Sequence, residues 1–182
     1  MKFNGDKQEI TRRAKAIRIL LLDVDGILTD GNLYYSAQGE EIKVFNTLDG
    51  HGIKLLGRVG IKVGIVSGRD SAALARRADE LGLDLIYKGR EDKLTVVEEI
   101  MRNLDLDISA IAFAGDDLPD LAVISRAGLG ITVPNAHREV KNAALLETEA
   151  TGGAGAVREI CDYLLQAQGH YAEIIEASRN GK

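Results

Sequence analysis

Asp23 and Asp25 stand two residues apart, directly behind the apolar run Leu20-Leu21-Leu22 and just ahead of Gly26. Residues two apart in an extended segment point the same way, so both carboxylates face one pocket. Such a pair suits two tasks: holding a divalent cation, and attacking a phosphoryl group while a partner moves protons. A strand stop with a polar turn is the plainer use of the same residues. Gly26 lets the backbone turn sharply and lets a ligand approach closely. Three further polar clusters follow along the chain: Ser67-Gly68-Arg69, Lys93, and Gly115-Asp116-Asp117 with Asp120.

The elements that must position these clusters are legible from pattern. Ile17–Leu22 is apolar except for Arg18 and reads as a strand buried on both faces. Ile61–Val66, Leu83–Tyr87, Ala110–Ala114 and Gly128–Val133 read likewise as strands. Helices are expected up to about Val59, from Asp70 (as cap) to Leu81 with a stop at Gly82, over Glu91–Leu104, up to Arg126, over Ala136–Ala144 and over Ala156–Gln168. Leu94, Val97, Ile100, Met101 and Leu104 share one helical face. Leu33-Tyr34-Tyr35 and Ile42-Lys43-Val44-Phe45 flank a segment containing Gly39, the pattern of a β-hairpin at about 31–46. Asn46–Gly52 reads as a polar, glycine-rich loop, residues 1–16 as a polar lead-in or short helix, and 169–182 as a polar, flexible tail. Strands alternating with helices imply an α/β fold, a parallel sheet with helices on both faces, in one domain over 1–182. Ligands of such sheets sit beyond the carboxyl ends of the strands, and three strands end there in polar clusters.

One pocket built from those clusters can do defined chemistry. Asp23 and Asp116, from separate strands, can offer oxygens to one Mg²⁺ ion, which favours a few carboxylates, water and a substrate phosphate. Ser67 can donate a hydrogen bond to a phosphoryl oxygen, and Lys93 can supply positive charge as the group transfers. Asp25 can protonate a leaving alkoxide and then deprotonate water. Each has a bland alternative: Ser67 as a helix cap, Lys93 as a solvated lysine, Asp117 and Asp120 as helix N-terminal acids. His51 reads as a loop residue.

Composition narrows the classes. A net charge of −5 argues against a broad nucleic-acid-binding face, and 4% aromatics without tryptophan argue against base-stacking platforms. Cys161 is the sole cysteine, which excludes an internal disulfide and agrees with a reducing cytoplasm. No apolar run approaches a membrane span, and none precedes Ile17 as a signal peptide would.

The four clusters occur in the order of the motifs of haloacid dehalogenase-like phosphatases, and the chain resembles that superfamily. Three longer strings, Asp23–Gly31, Phe45–Gly52 and Gly152–Glu159, resemble the 3-deoxy-D-manno-octulosonate 8-phosphate phosphatase family, over about Ile17 to Gly169. The resemblance implies a Rossmann-like, capless core, Mg²⁺ dependence, and removal of phosphate from an eight-carbon sugar acid of lipopolysaccharide synthesis. By position it makes Asp23 nucleophile and metal ligand, and Asp25 the acid/base, with its carbonyl on the metal. Asp116 becomes the other metal ligand, and Ser67 and Lys93 the phosphoryl binders. It places Asn46, Thr47, Leu48, Asp49, Gly50, Lys54, Arg69 and Arg77 near substrate. It also implies a homotetramer, in which the hairpin and the segment around Arg158 meet neighbouring subunits that cover the site. Two alternatives stay open: a phosphatase of a nine-carbon sugar acid phosphate, and a phospho-receiver signalling domain. An inactive binding relative is a third.

Overall fold

The computed structural model describes residues 1–37 and 41–181; Gly39 and the side chain of Glu41 lie outside the described residues. Chain order gives β1 (Lys2–Phe3), α1 (Lys7–Ala16), β2 (Ile19–Leu22), β3 (Tyr34–Tyr35), β4 (Glu41–Ile42), α2 (Thr47–Arg58), β5 (Lys62–Val66), α3 (Ala72–Leu81) and β6 (Leu85–Tyr87). Then follow α4 (Lys93–Leu104), β7 (Ile111–Ala114), α5 (Leu118–Ile124), β8 (Leu129–Thr132), α6 (Arg138–Ala143), β9 (Leu146–Glu147), α7 (Ala156–Ala167) and α8 (Tyr171–Arg179).

The main sheet runs β1-β9-β8-β7-β2-β5-β6. Every pairing in it is parallel except β1 with β9. Strand β2 lies inside the sheet between β7 and β5, and all four of its residues are buried. Its alternation divides the core. Leu20 and Leu22 pack with Ile53, Leu56, Leu74, Val157, Ile160 and Leu164, drawn from α2, α3 and α7. Ile19 and Leu21 pack with Val97, Ile100, Phe113 and Val123, on the side of α4 and α5. Each leucine so buried contributes about 2 kcal/mol, which holds the strand in place against the acids at its end. Leu22 lies level with Ile65 of β5 and Ala114 of β7. The three strands therefore end at one edge, where Asp23 follows Leu22 directly and Ser67 and Asp116 stand two residues beyond Ile65 and Ala114.

Several expectations are corrected. The stretch from Thr47 is not loop but the first turns of α2, because the Asn46 side chain accepts from Leu48 N and caps it. Ser71, not Asp70, caps α3, with Asp70 paired instead to Lys88 at 2.7 Å. The lead-in contains β1, added antiparallel at the sheet edge. The tail forms α8, whose Tyr171 and Ile174 pack against the core. Among the described residues no helix is long and apolar enough to cross a membrane.

Candidate active site

An open cavity of about 420 Å³ lies beyond the carboxyl ends of β2, β5 and β7, lined by Asp23, Asp25, Ser67, Arg69, Lys93 and Asp116 among others. Every residue expected from sequence to carry chemistry thus reaches one place.

The centre is a charge network. Lys93 opens α4 with its side chain only 4% exposed, and its Nζ lies 2.9 Å from Asp23 Oδ1 and 2.5 Å from Asp120 Oδ1. Asp120 Oδ2 accepts from the backbone N–H of Asp116 (3.0 Å) and of Asp117 (3.2 Å). Asp120 closes a capping box with Asp117 on α5 and ties that helix to the lysine in the same stroke. Asp116 is held further from behind, its carbonyl accepting from His137 N at 2.8 Å, while Thr132 Oγ1 donates to the Gly115 carbonyl at 2.7 Å. The buried Ser67 is fixed by its N–H on the Tyr87 carbonyl and by Arg90 N–H on its own carbonyl; its Oγ accepts from Arg69 N–H at 3.2 Å.

Gly26 turns the chain behind Asp25 at φ 84°, and a Cβ there would lie 2.0 Å from Asp116 Oδ2. Only a glycine lets the carboxylate of the second strand lie against the turn of the first. Behind that turn sits the late loop of Gly152 and Gly153. A Cβ on Gly152 would be 1.8 Å from the Gly26 carbonyl, and Gly153 N–H donates to the Ile27 carbonyl.

One ammonium faces three converging carboxylates, and the balance shows in their acidities. Burial, then the charge of Asp120, pushes Asp23 up to about 7 against the pull of Lys93. Burial and the charges of Asp23 and Asp120 raise Asp116 to about 7 as well. Burial pulls the Lys93 ammonium down, but Asp23 and Asp120 outweigh it and leave it raised. Oxygens of Asp23, Asp116 and Asp120 come within 4.8 Å of one another. An all-oxygen set with uncompensated negative charge fits a hard divalent cation such as Mg²⁺. Both Asp120 oxygens already have partners, so the oxygens open to a cation belong to Asp23 and Asp116.

The hairpin adds two contacts that sequence reasoning missed. Lys43, next after β4, donates from Nζ to Asp25 Oδ1. Arg69 donates from Nη2 to Tyr35 Oη at 2.7 Å, and its Nε lies 3.8 Å from Asp25 Oδ2. No local pattern announces a contact across 18 residues of chain.

Other expected substrate contacts lie elsewhere in this chain. Asn46 caps α2 and reaches the Gly153 carbonyl at 3.4 Å; Thr47 begins the helix, and Leu48 is exposed. Asp49 is buried, its Oδ1 accepting from Arg158 N–H at 2.7 Å, which pins α2 to the start of α7. Gly50 leaves room for Arg77, whose Nη2 donates to the Asn46 carbonyl and whose guanidinium stands over the Phe45 ring. Lys54 lines a separate cavity at the amino edge of the sheet.

Comparison with known proteins gives the class first. A model of the haloacid dehalogenase-like hydrolases matches residues 83–160. The 3-deoxy-D-manno-octulosonate 8-phosphate phosphatase KdsC of Yersinia pestis is 42% identical over 160 residues, 88% of this chain and 86% of that protein. The same phosphatase from Escherichia coli K12 is 39% identical over 91% of this chain and 88% of its own length. The structure of the Moraxella catarrhalis 3-deoxy-D-manno-octulosonate 8-phosphate phosphatase, with magnesium, phosphate and KDO, superposes at a TM-score of 0.93. It shares 42% identity and covers 94% of this chain and 99% of that one. The chain belongs to the 3-deoxy-D-manno-octulosonate 8-phosphate phosphatase family of haloacid dehalogenase-like hydrolases.

Proposed function

We propose that this protein is a magnesium-dependent phosphatase that hydrolyses 3-deoxy-D-manno-octulosonate 8-phosphate to the free sugar acid and phosphate, a step toward lipopolysaccharide. The observation that carries the reading is Asp23: it follows β2 directly and stands against Lys93 in one cavity with Asp116, in a chain about 40% identical to named phosphatases of this ester.

Asp23 is the nucleophile. Its oxygen attacks phosphorus, and the ester P–O bond breaks with its electron pair moving to the bridging oxygen. Asp25 gives that oxygen its proton and is left as a carboxylate. In the second step Asp25 takes a proton from the water that attacks the aspartyl phosphate, which restores both acids. Lys93 orients Asp23 and offsets charge on the transferring group, and Ser67 donates to a phosphoryl oxygen. Asp23, Asp116 and the Asp25 carbonyl would hold magnesium, which when bound offsets repulsion between the nucleophile and the phosphate dianion. Arg69 stands at the cavity, where its fork suits a sugar acid's carboxylate.

Assembly is part of the same reading. Leu33, Tyr34, Tyr35, Ile42 and Val44 are all exposed on the hairpin, and such an uncovered ribbon invites pairing. A homotetramer buries it and covers each site with a neighbour. Sedimentation that finds a fully active monomer would overturn this. The reaction is assigned to the cytoplasm, in keeping with the unpaired, buried Cys161.

The direct test is phosphate release from the sugar acid phosphate, with and without Mg²⁺, in wild type and Asp23→Asn. Metal-dependent release that vanishes in the variant is expected. Release from other esters but not from this one would keep the chemistry and remove the substrate, with a nine-carbon sugar acid phosphate the next to try.

A further inference from the structure

The hairpin that leaves the sheet after Gly31 returns to the active site of its own chain. Only 2% of the Lys43 side chain is exposed, and its ammonium donates to Oδ1 of Asp25. The opposite oxygen, Oδ2, faces Arg69 Nε at 3.8 Å, and Arg69 is itself gripped by Tyr35 of the hairpin at 2.7 Å. A lysine buried to this degree is uncommon unless paired, and its burial here is compensated by the carboxylate it holds. Solvent reaches 23% of the Asp25 side chain, on the side of the cavity. A carboxylate rotates easily about its last bond. With Oδ1 bonded to a buried ammonium and Oδ2 beside Arg69, this one is held in a single orientation at the cavity.

We infer that Lys43 is a positioning residue for Asp25: the hairpin sets the acid/base geometry of its own subunit. This rests on the acid/base reading of Asp25 given above. Proton transfer itself runs through Oδ2. The leaving oxygen takes the proton from Asp25 as the ester bond breaks, and water returns one to Asp25 as the aspartyl phosphate is cleaved, so Lys43 ends each cycle as it began.

The consequence separates esters by leaving group. A sugar alkoxide needs a proton as it departs; p-nitrophenolate does not. The parameter kcat/KM reports steps up to the first irreversible one, here departure of the alcohol. Lys43→Met should lower kcat/KM about 10- to 100-fold for the sugar acid phosphate and for glycerol phosphate, less than the full worth of general acid catalysis because Asp25 itself remains. For p-nitrophenyl phosphate it should change by less than about threefold. Lys43→Arg, which keeps a cationic donor, should recover part of the loss. Placed in the Asp25→Asn background, Lys43→Met should cost nothing further, because the group it acts on is gone.

Retained aryl ester turnover shows that the variant is folded. Equal loss on all three esters would mean that Lys43 merely supports the fold, and would overturn the proposal. Loss on the sugar acid phosphate alone would make Lys43 a carboxylate contact, and would overturn it too. So would an absence of loss. If Asp25→Asn itself fails to distinguish alkyl from aryl esters, the acid/base reading falls and takes this inference with it. If Asp25→Asn distinguishes them and Lys43→Met does not, only the inference falls.

Discussion

Two cavities at opposite edges of the same sheet differ in what lines them. The larger, about 730 Å³, lies at the amino edge among Lys54, Arg58, Lys62, Asp79, Glu80 and Asp84. The smaller, about 420 Å³, lies at the carboxyl edge. Both carry acids and bases. Only the smaller holds charged groups withdrawn from water, with Asp23, Lys93 and Asp120 each under 9% exposed. Charges at the amino edge are screened, and surface pairs there are worth little. Charges at the carboxyl edge cannot be screened and must be met by one another or by a cation. Volume does not mark the site here; unscreened charge does.

That contrast can be broken by substitution. Asp23→Asn should lower phosphate release by more than about a thousandfold, since a nucleophile has no substitute, and steady-state assay will show it. Lys93→Met leaves Asp23 and Asp120 buried without their cation. Urea unfolding should register a loss of about 3 kcal/mol without Mg²⁺, beside a fall in kcat of about a hundredfold. Gly26→Ala drives a methyl group into the space of Asp116 Oδ2. Calorimetric titration should find Mg²⁺ bound about tenfold more weakly or worse. Lys54→Ala, at the amino edge, should move kcat/KM less than about twofold and stability by less than about 0.5 kcal/mol. A larger effect on KM would mean that Lys54 enters a neighbouring subunit's site.

The pH dependence of stability sharpens the comparison further. Asp23 and Asp116 have folded-state values raised to about 7, above those of the unfolded chain. A raised acid stabilises the fold while protonated in both states, below about 4, and that contribution is lost as pH climbs through about 7. With metal chelated, Tm should therefore fall between about pH 4 and 7. Added Mg²⁺ should restore it, most strongly at the upper end, because the cation binds only the ionised acids. A Tm that rises over this window without metal would contradict the burial of these groups.

Much of the carboxyl edge was legible in the sequence because strand and loop chemistry meet there within a few residues. An apolar run followed at once by Asp23-Val24-Asp25-Gly26 states both the strand and its use, and Ser67 and Asp116 repeat the arrangement. The acids and the lysine were recoverable for that reason. What escaped had no local signal. Strands β1 and β9 are two residues each and too short for any periodicity. The first turns of α2 contain Gly50 and Gly52, which read as loop; they are helical, and the space a side chain would take there is filled by Arg77 and Arg158. Asp120 looked like a helix-start acid and is one, yet it also holds Lys93, a contact across 27 residues. Lys43 and Tyr35 belong to the same category, since their partners are set by where the hairpin folds back.

The packing of Gly152 and Gly153 against the turn after Asp25 has a bearing on the order of synthesis. Asp23, the proposed nucleophile, is made well before the loop that backs its turn, with Gly152 against the Gly26 carbonyl and Asp49 tied to Arg158. Strand β2 itself must wait for β7 to flank it. A nascent chain therefore carries Asp23 for more than a hundred residues of synthesis before the loop that backs its turn is made. The site comes together only when the Gly152–Gly153 loop arrives.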